Sequence, residues 1–228
     1  LKEIIYQEAQ FEDQLNKIGK KDNLDLVLIV GPTGSGKTSL FYSLLGRSLR
    51  VSKSGRHILL EPENKIQGFE IGHAGSETRI PNLYPFPSSQ MILCDCPGFF
   101  DTGGGEQDIP NAFAVDYLLT KAARIKILFV LSESDIMTSR SLVLKKATML
   151  VENLIPDLQS KMDSICLVVT KADYESNPID FIPSDIDTED PTLLNFFRDH
   201  ARDKIYQFSR PSTQMQVYTD FQDKQKIL

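Results

Sequence analysis

Leu24-Asp25-Leu26-Val27-Leu28-Ile29-Val30 runs directly into Gly31-Pro32-Thr33-Gly34-Ser35-Gly36-Lys37-Thr38 and then into Ser39-Leu40-Phe41-Tyr42-Ser43-Leu44-Leu45-Gly46. The first run is short, apolar and β-branched, which predicts a buried strand. The third has helical apolar spacing, with Gly46 placed to end it. Between them lies an uninterrupted match to G-x-x-x-x-G-K-[ST], the phosphate-binding P-loop, in the strand–loop–helix context that the motif requires. Gly31, Gly34 and Gly36 free the backbone to wrap closely around phosphate oxygens. The helix beginning near Lys37 adds its positive end to the same place. In this reading Ser35 and Ser39 line the phosphate cradle. Lys37 reaches the β- and γ-phosphates as the charge that assists their chemistry, and Thr38 offers its hydroxyl to Mg²⁺.

Outward from this unit the chain alternates strand and helix signals, which implies a mostly parallel sheet covered on both faces. The fold class expected is a three-layer α/β P-loop NTPase domain of the GTPase type. Residues 1–22 are read as an N-terminal helical extension and 23–228 as the nucleotide-binding domain. Ile4, Phe11, Leu15 and Ile18 have heptad-like spacing, so the extension either docks on the domain or continues a coiled coil with a partner. Residues 47–75 read as an inserted hairpin made of His57–Glu61 and Lys65–Ile71. Residues 76–87 read as a proline-bearing loop with at most a short edge strand. Gln90–Cys94, Lys126–Leu131 and Ser164–Val169 read as strands. Ala112–Ala123, Ser139–Leu150 and Thr192–Phe208 read as helices, and Met215–Tyr218 as a last strand. Residues 176–191, with Pro178, Pro183, Pro191 and five acidic side chains, read as a solvated loop.

The 228 residues suit one α/β domain with extensions. A net charge of −6 argues against general affinity for nucleic acid or anionic membrane. No apolar run is long enough to span a membrane, and no signal peptide opens the chain. The first residue is Leu, so the chain is expected to be part of something longer. Cys94, Cys96 and Cys166 lie in apolar runs. They read as small core residues in a reducing, cytoplasmic compartment rather than as a metal or redox set.

Two further segments specify the nucleotide. Asp95-Cys96-Pro97-Gly98 closes a strand, where ligands of parallel sheets bind. Asp95 there can hold Mg²⁺ through water, and the Gly98 N–H can bond the γ-phosphate, making the next loop a nucleotide sensor. Thr170-Lys171-Ala172-Asp173 closes another buried strand and has the form [NT]-K-x-D. Asp173 can accept two hydrogen bonds from guanine N1–H and the 2-amino group, a donor pair that adenine lacks. The Lys171 stem lies along the base, and the Thr170 hydroxyl can tie this loop to the P-loop.

With these motifs in order, residues 24–173 resemble a TRAFAC-class GTPase. They are most similar to the septin-like group, which includes septins, immunity-associated GTPases and chloroplast envelope import GTPases. Phe99-Phe100-Asp101-Thr102 after Gly98 supports the subgroup, and Ser76-Glu77-Thr78 resembles its switch segment. The resemblance implies that Thr78 binds Mg²⁺ in the GTP state. Phe99 stands where many signalling GTPases carry a water-orienting Gln, which Phe cannot replace. The resemblance therefore implies slow hydrolysis of GTP to GDP, or catalysis completed by a partner or a second copy across the nucleotide face. Arg47 and Arg79 are possible charge donors to that chemistry but read first as ordinary surface arginines, and Val217-Tyr218-Thr219 lies where a last base-contacting loop is expected.

Overall fold

The computed structural model describes residues 2–19, 22–54, 57–67, 69, 71, 80–87, 89–98, 108–137, 149, 152, 158–173, 182, 192–212, 217–218, 221 and 224–227. Strand β1 (Leu24–Val30) shows how its apolar run is used. Leu24, Leu26, Leu28 and Val30 join one buried cluster, and Val27 and Ile29 join another on the opposite face. A strand that is apolar at every second position on both sides is a strand covered on both sides.

Around β1 stand a first helix, α1 (Lys2–Ile18), and the helix after the P-loop, α2 (Lys37–Leu44). A hairpin follows, β2 (Leu49–Ser54) with β3 (His57–Pro62). Then come β4 (Asn82–Pro85), β5 (Met91–Asp95), α3 (Asp108–Lys121), β6 (Ala122–Ser132) and the short α4 (Glu133–Met137). The chain continues through α5 (Leu158–Lys161), β7 (Ile165–Ala172), α6 (Thr192–Asp199), β8 (Ile205–Ser209), β9 (Val217–Tyr218) and α7 (Lys224–Ile227). The main sheet has the order β4-β5-β1-β6-β7-β8. All its pairings are parallel except β4 with β5, which is antiparallel. β1 thus lies inside the sheet, and its C-terminal end, where the P-loop begins, is flanked by the ends of β5 and β6. A second sheet, β3-β2-β9, is antiparallel.

The three-layer α/β fold is as expected, but three local expectations are corrected. The hairpin pairs β3 with the preceding segment Leu49–Ser54, not with Lys65–Ile71. The backbone of that later segment is engaged elsewhere: the Tyr42 hydroxyl accepts from Ile66 N at 2.9 Å and donates to Phe69 O at 2.8 Å. Thr192–Phe208 is not one helix. It ends at Asp199, turns through Arg202–Lys204 and becomes β8, which pairs with β7 from Ile205 onward. Tertiary pairing overrides a helical pattern in so short a segment. β6 is also longer than Lys126–Leu131 and begins directly after α3. Asn82–Pro85 does form the expected short edge strand, and Val217–Tyr218 is a strand of the small sheet. The Ser139–Leu150 helix apart from Met149, the glycine run 103–105 and most of 176–191 lie outside the described residues.

Of the two uses open to the N-terminal helix, docking is the one observed. Phe11 and Leu15, one turn apart, are fully buried in the cluster that also holds Val115 and Leu118 of α3. Glu12 accepts a hydrogen bond from the Tyr117 hydroxyl of α3. Gln14 donates to Pro81 O at 3.3 Å and accepts from Leu83 N at 2.7 Å, so the helix grips the edge strand β4. No described helix is long and apolar enough to cross a membrane.

Candidate functional site

The P-loop leaves β1 at Gly31 and enters α2 through Gly36, whose φ of 89° is left-handed backbone that glycine adopts without strain. That turn aims the first N–H groups of α2 back into the loop. Lys37 is buried, and its ammonium donates to Pro32 O at 2.8 Å and Gly31 O at 3.1 Å, which holds it across the mouth of the loop. Ser35 and Ser39 are buried as well. The Ser35 Oγ has no hydrogen-bond partner among the described residues.

Beside the P-loop lies the end of β5. Asp95 is completely buried, and its Oδ2 accepts from the Thr38 hydroxyl at 2.8 Å. Its Oδ1 has no partner among the described residues. Burial pushes the Asp95 carboxyl up to about 6, against the opposing pull of the Lys37 ammonium and the Thr38 hydrogen bond. A buried carboxylate with a free oxygen, joined to a hydroxyl at a helix start, is a donor set that fits a hard divalent cation such as Mg²⁺. Beyond it, Cys96 N donates to Ile29 O at 3.2 Å, holding the strand-end loop against β1. Gly98 is pressed onto the P-loop: a β-carbon there would lie 2.1 Å from Thr33 Oγ1 and 2.6 Å from Thr33 Cα.

The end of β7 completes the arrangement. The Thr170 hydroxyl donates to Ser35 O, and the Lys171 ammonium donates to Gly34 O at 2.6 Å. Both ties are possible because the pairing of β7 with β8 slips between Thr170 and Ala172, where Lys171 takes a φ of 56°. This bulge turns successive side chains out of the strand's alternation. Asp173 follows on the surface, its carbonyl accepting from Gln207 Nε2 at 2.6 Å.

Gly31, Gly34, Ser35, Gly36, Lys37, Thr38, Ser39, Asp95, Gly98, Thr170, Lys171 and Asp173 therefore meet at one end of the main sheet. Thr78, Arg79, Phe99 and Thr219 lie outside the described residues. Arg47 sits past α2, its backbone N–H bonded to Tyr42 O at 3.0 Å. Three contributors were not singled out from sequence. Thr33 was hidden among the variable positions of the motif. Gln207 lay within a segment read as helix, although Ile205-Tyr206-Gln207-Phe208 has strand composition. Asp135 accepts from Ser132 N at 3.0 Å and from Ser132 Oγ at 2.5 Å, bracing the end of β6 opposite Thr170.

The cysteines behave as core. Cys94 and Cys96 share a face with their sulfurs 3.7 Å apart, both are fully buried, and burial raises the Cys94 thiol well above its ordinary range. Among the described residues no His, Cys, Asp and Glu group forms a metal cluster.

No curated protein sequence matches the chain. Several solved structures are similar to it at low identity. A point variant of Era from Aquifex aeolicus, bound to GDP·AlF4⁻, is 18% identical with a TM-score of 0.46 over 82% of this chain, which spans 51% of that one. Toc33 from Arabidopsis thaliana, in complex with GDP and Mg²⁺, is 14% identical with a TM-score of 0.47, covering 96% of this chain and 86% of that one. The signal recognition particle receptor SRb-GTP/SRX complex from Chaetomium thermophilum is 16% identical with a TM-score of 0.44, covering 83% and 90%. The model of the family described as 50S ribosome-binding GTPase matches residues 26–171, from within β1 to Lys171 at the end of β7. That match takes in well over half of the sequence, and the chain belongs to this family of GTP-binding P-loop GTPase domains.

Proposed function

We propose that the chain is a guanine-nucleotide switch or assembly domain of the septin-like, immunity-associated group, binding GTP with Mg²⁺ and hydrolysing it slowly. The observation that carries this reading is the pair of ties from Thr170 and Lys171 to the carbonyls of Ser35 and Gly34. They fix the base-reading strand end to the phosphate loop, so one nucleotide can be held at both ends. The P-loop amides and Lys37 hold the β- and γ-phosphates. Asp173 accepts from the guanine edge, with Gln207 holding its backbone. Thr38, Asp95 and Thr78 would hold Mg²⁺, which supplies charge neutralisation at the β- and γ-oxygens. Hydrolysis is attack of water on the γ-phosphorus with GDP leaving, and the chain's contribution is positioning and charge. Phe99 offers no group to orient that water, so intrinsic turnover is slow and a second copy or a partner at the nucleotide face raises it. The three free thiols suit a reducing cytoplasm.

Phe99 also favours a second reading, a structural or interaction protein that keeps its nucleotide with little or no turnover. Single-turnover hydrolysis at rising protein concentration separates the two: release of phosphate that grows with concentration supports the switch, and intact GTP throughout supports the second. The guanine assignment is tested by competition. GTP should displace labelled GDP at least tenfold better than ATP, and Asp173→Asn should shift preference toward xanthine nucleotides by inverting the donor–acceptor match. Equal binding of ATP overturns the assignment.

A further inference from the structure

We infer that Thr33 distinguishes triphosphate from diphosphate, its hydroxyl serving as a ligand to the terminal phosphoryl group. The inference rests on the guanine-nucleotide reading above and names a contact at that same site. Thr33 lies at the third position of the P-loop, where the motif allows any residue. Its Oγ1 is shut off from solvent and has no hydrogen-bond partner among the described residues. A buried hydroxyl without a partner is disfavoured unless something arrives to meet it. Thr33 also closes against Gly98. A β-carbon on Gly98 would come within 2.1 Å of Thr33 Oγ1, 2.6 Å of its Cα and 2.8 Å of its N, so the two loops are in full contact there.

The contact lies between the phosphate loop and the loop beginning at Asp95, the side on which a third phosphoryl group would extend toward Asp95 and Thr38. A diphosphate leaves the Thr33–Gly98 contact shut. A triphosphate has to part it, and an anionic phosphoryl oxygen then gives the orphaned hydroxyl a charge-assisted acceptor. Gly98 must be glycine for the shut state, and Thr33 must carry a hydroxyl for the open one.

The test compares Thr33→Val, which keeps the shape and loses the hydroxyl, with Thr33→Ser, which keeps the hydroxyl. GDP and the slowly hydrolysed analogue GTPγS are titrated with Mg²⁺ by calorimetry, and thermal midpoints confirm folding. Thr33→Val should weaken GTPγS about tenfold while GDP stays within about twofold, the loss of one hydrogen bond to a charged group. Thr33→Ser should keep the wild-type ratio. Equal losses for both nucleotides, or an unchanged ratio in Thr33→Val, overturn the inference. If ATPγS binds wild type as tightly as GTPγS but the Thr33→Val pattern persists, the guanine reading falls and the role of Thr33 stands.

Discussion

Asp95 is the residue at which folding and ligand binding pull in opposite directions. Its carboxyl titrates near 3.8 in an exposed chain and is pushed up to about 6 by burial. The folded state therefore holds the proton more tightly than the unfolded state. The Asp95 contribution to ligand-free stability is greatest below pH ~4, declines as pH rises to about 6 and stays lower above that, a difference of about 3 kcal/mol. Asp95→Asn removes that contribution. Its ligand-free unfolding midpoint should exceed wild type at pH 7.5, and the gap should close as pH falls to 4 in thermal melts. The same variant should lose the Mg²⁺ dependence of GTP affinity. A gap between variant and wild type that stays constant through this pH window would contradict the burial cost.

At the scale of elements, the site is an agreement between strand ends. The β7 bulge costs a non-glycine residue a left-handed φ, and two hydrogen bonds to the P-loop offset that cost. Thr170→Val cuts one tie while preserving shape. It should lower GTP affinity about tenfold and leave the GTP-to-ATP preference in place, because Asp173 is untouched. Fluorescent-nucleotide titration measures both. The motifs on these strand ends were legible because each is local: a strand, a glycine turn and a helix start follow one another without a break, and Thr170-Lys171-Ala172-Asp173 is contiguous. The Thr33–Gly98 and Gln207–Asp173 contacts were not, since each joins segments whose proximity only the sheet order supplies. β8 was missed for a related reason. Leu193, Phe196 and Phe197 start a true amphipathic helix, and only pairing with β7 marks where it stops.

Across the whole molecule, the alternation of strand and helix signals along the chain was enough to foresee a sheet covered on both faces. It could not say what covers it. α1 belongs to one of those covers through Phe11 and Leu15, whose heptad-like spacing served docking as readily as it would have served a coiled coil. The grip of Gln14 on Pro81 and Leu83 has a consequence for association. β4 is the sheet's last strand among the described residues, and a bare strand edge is a template on which another chain can add itself. The helix is in effect a latch over that template. Phe11→Ala should cost about 3–5 kcal/mol of packing and loosen the latch. The expected outcome is concentration-dependent assembly in light scattering, independent of nucleotide and rich in intermolecular β-structure by infrared. Self-association through this edge and self-association across the nucleotide face would then be two separate behaviours of one chain, and only the second would answer to GTP.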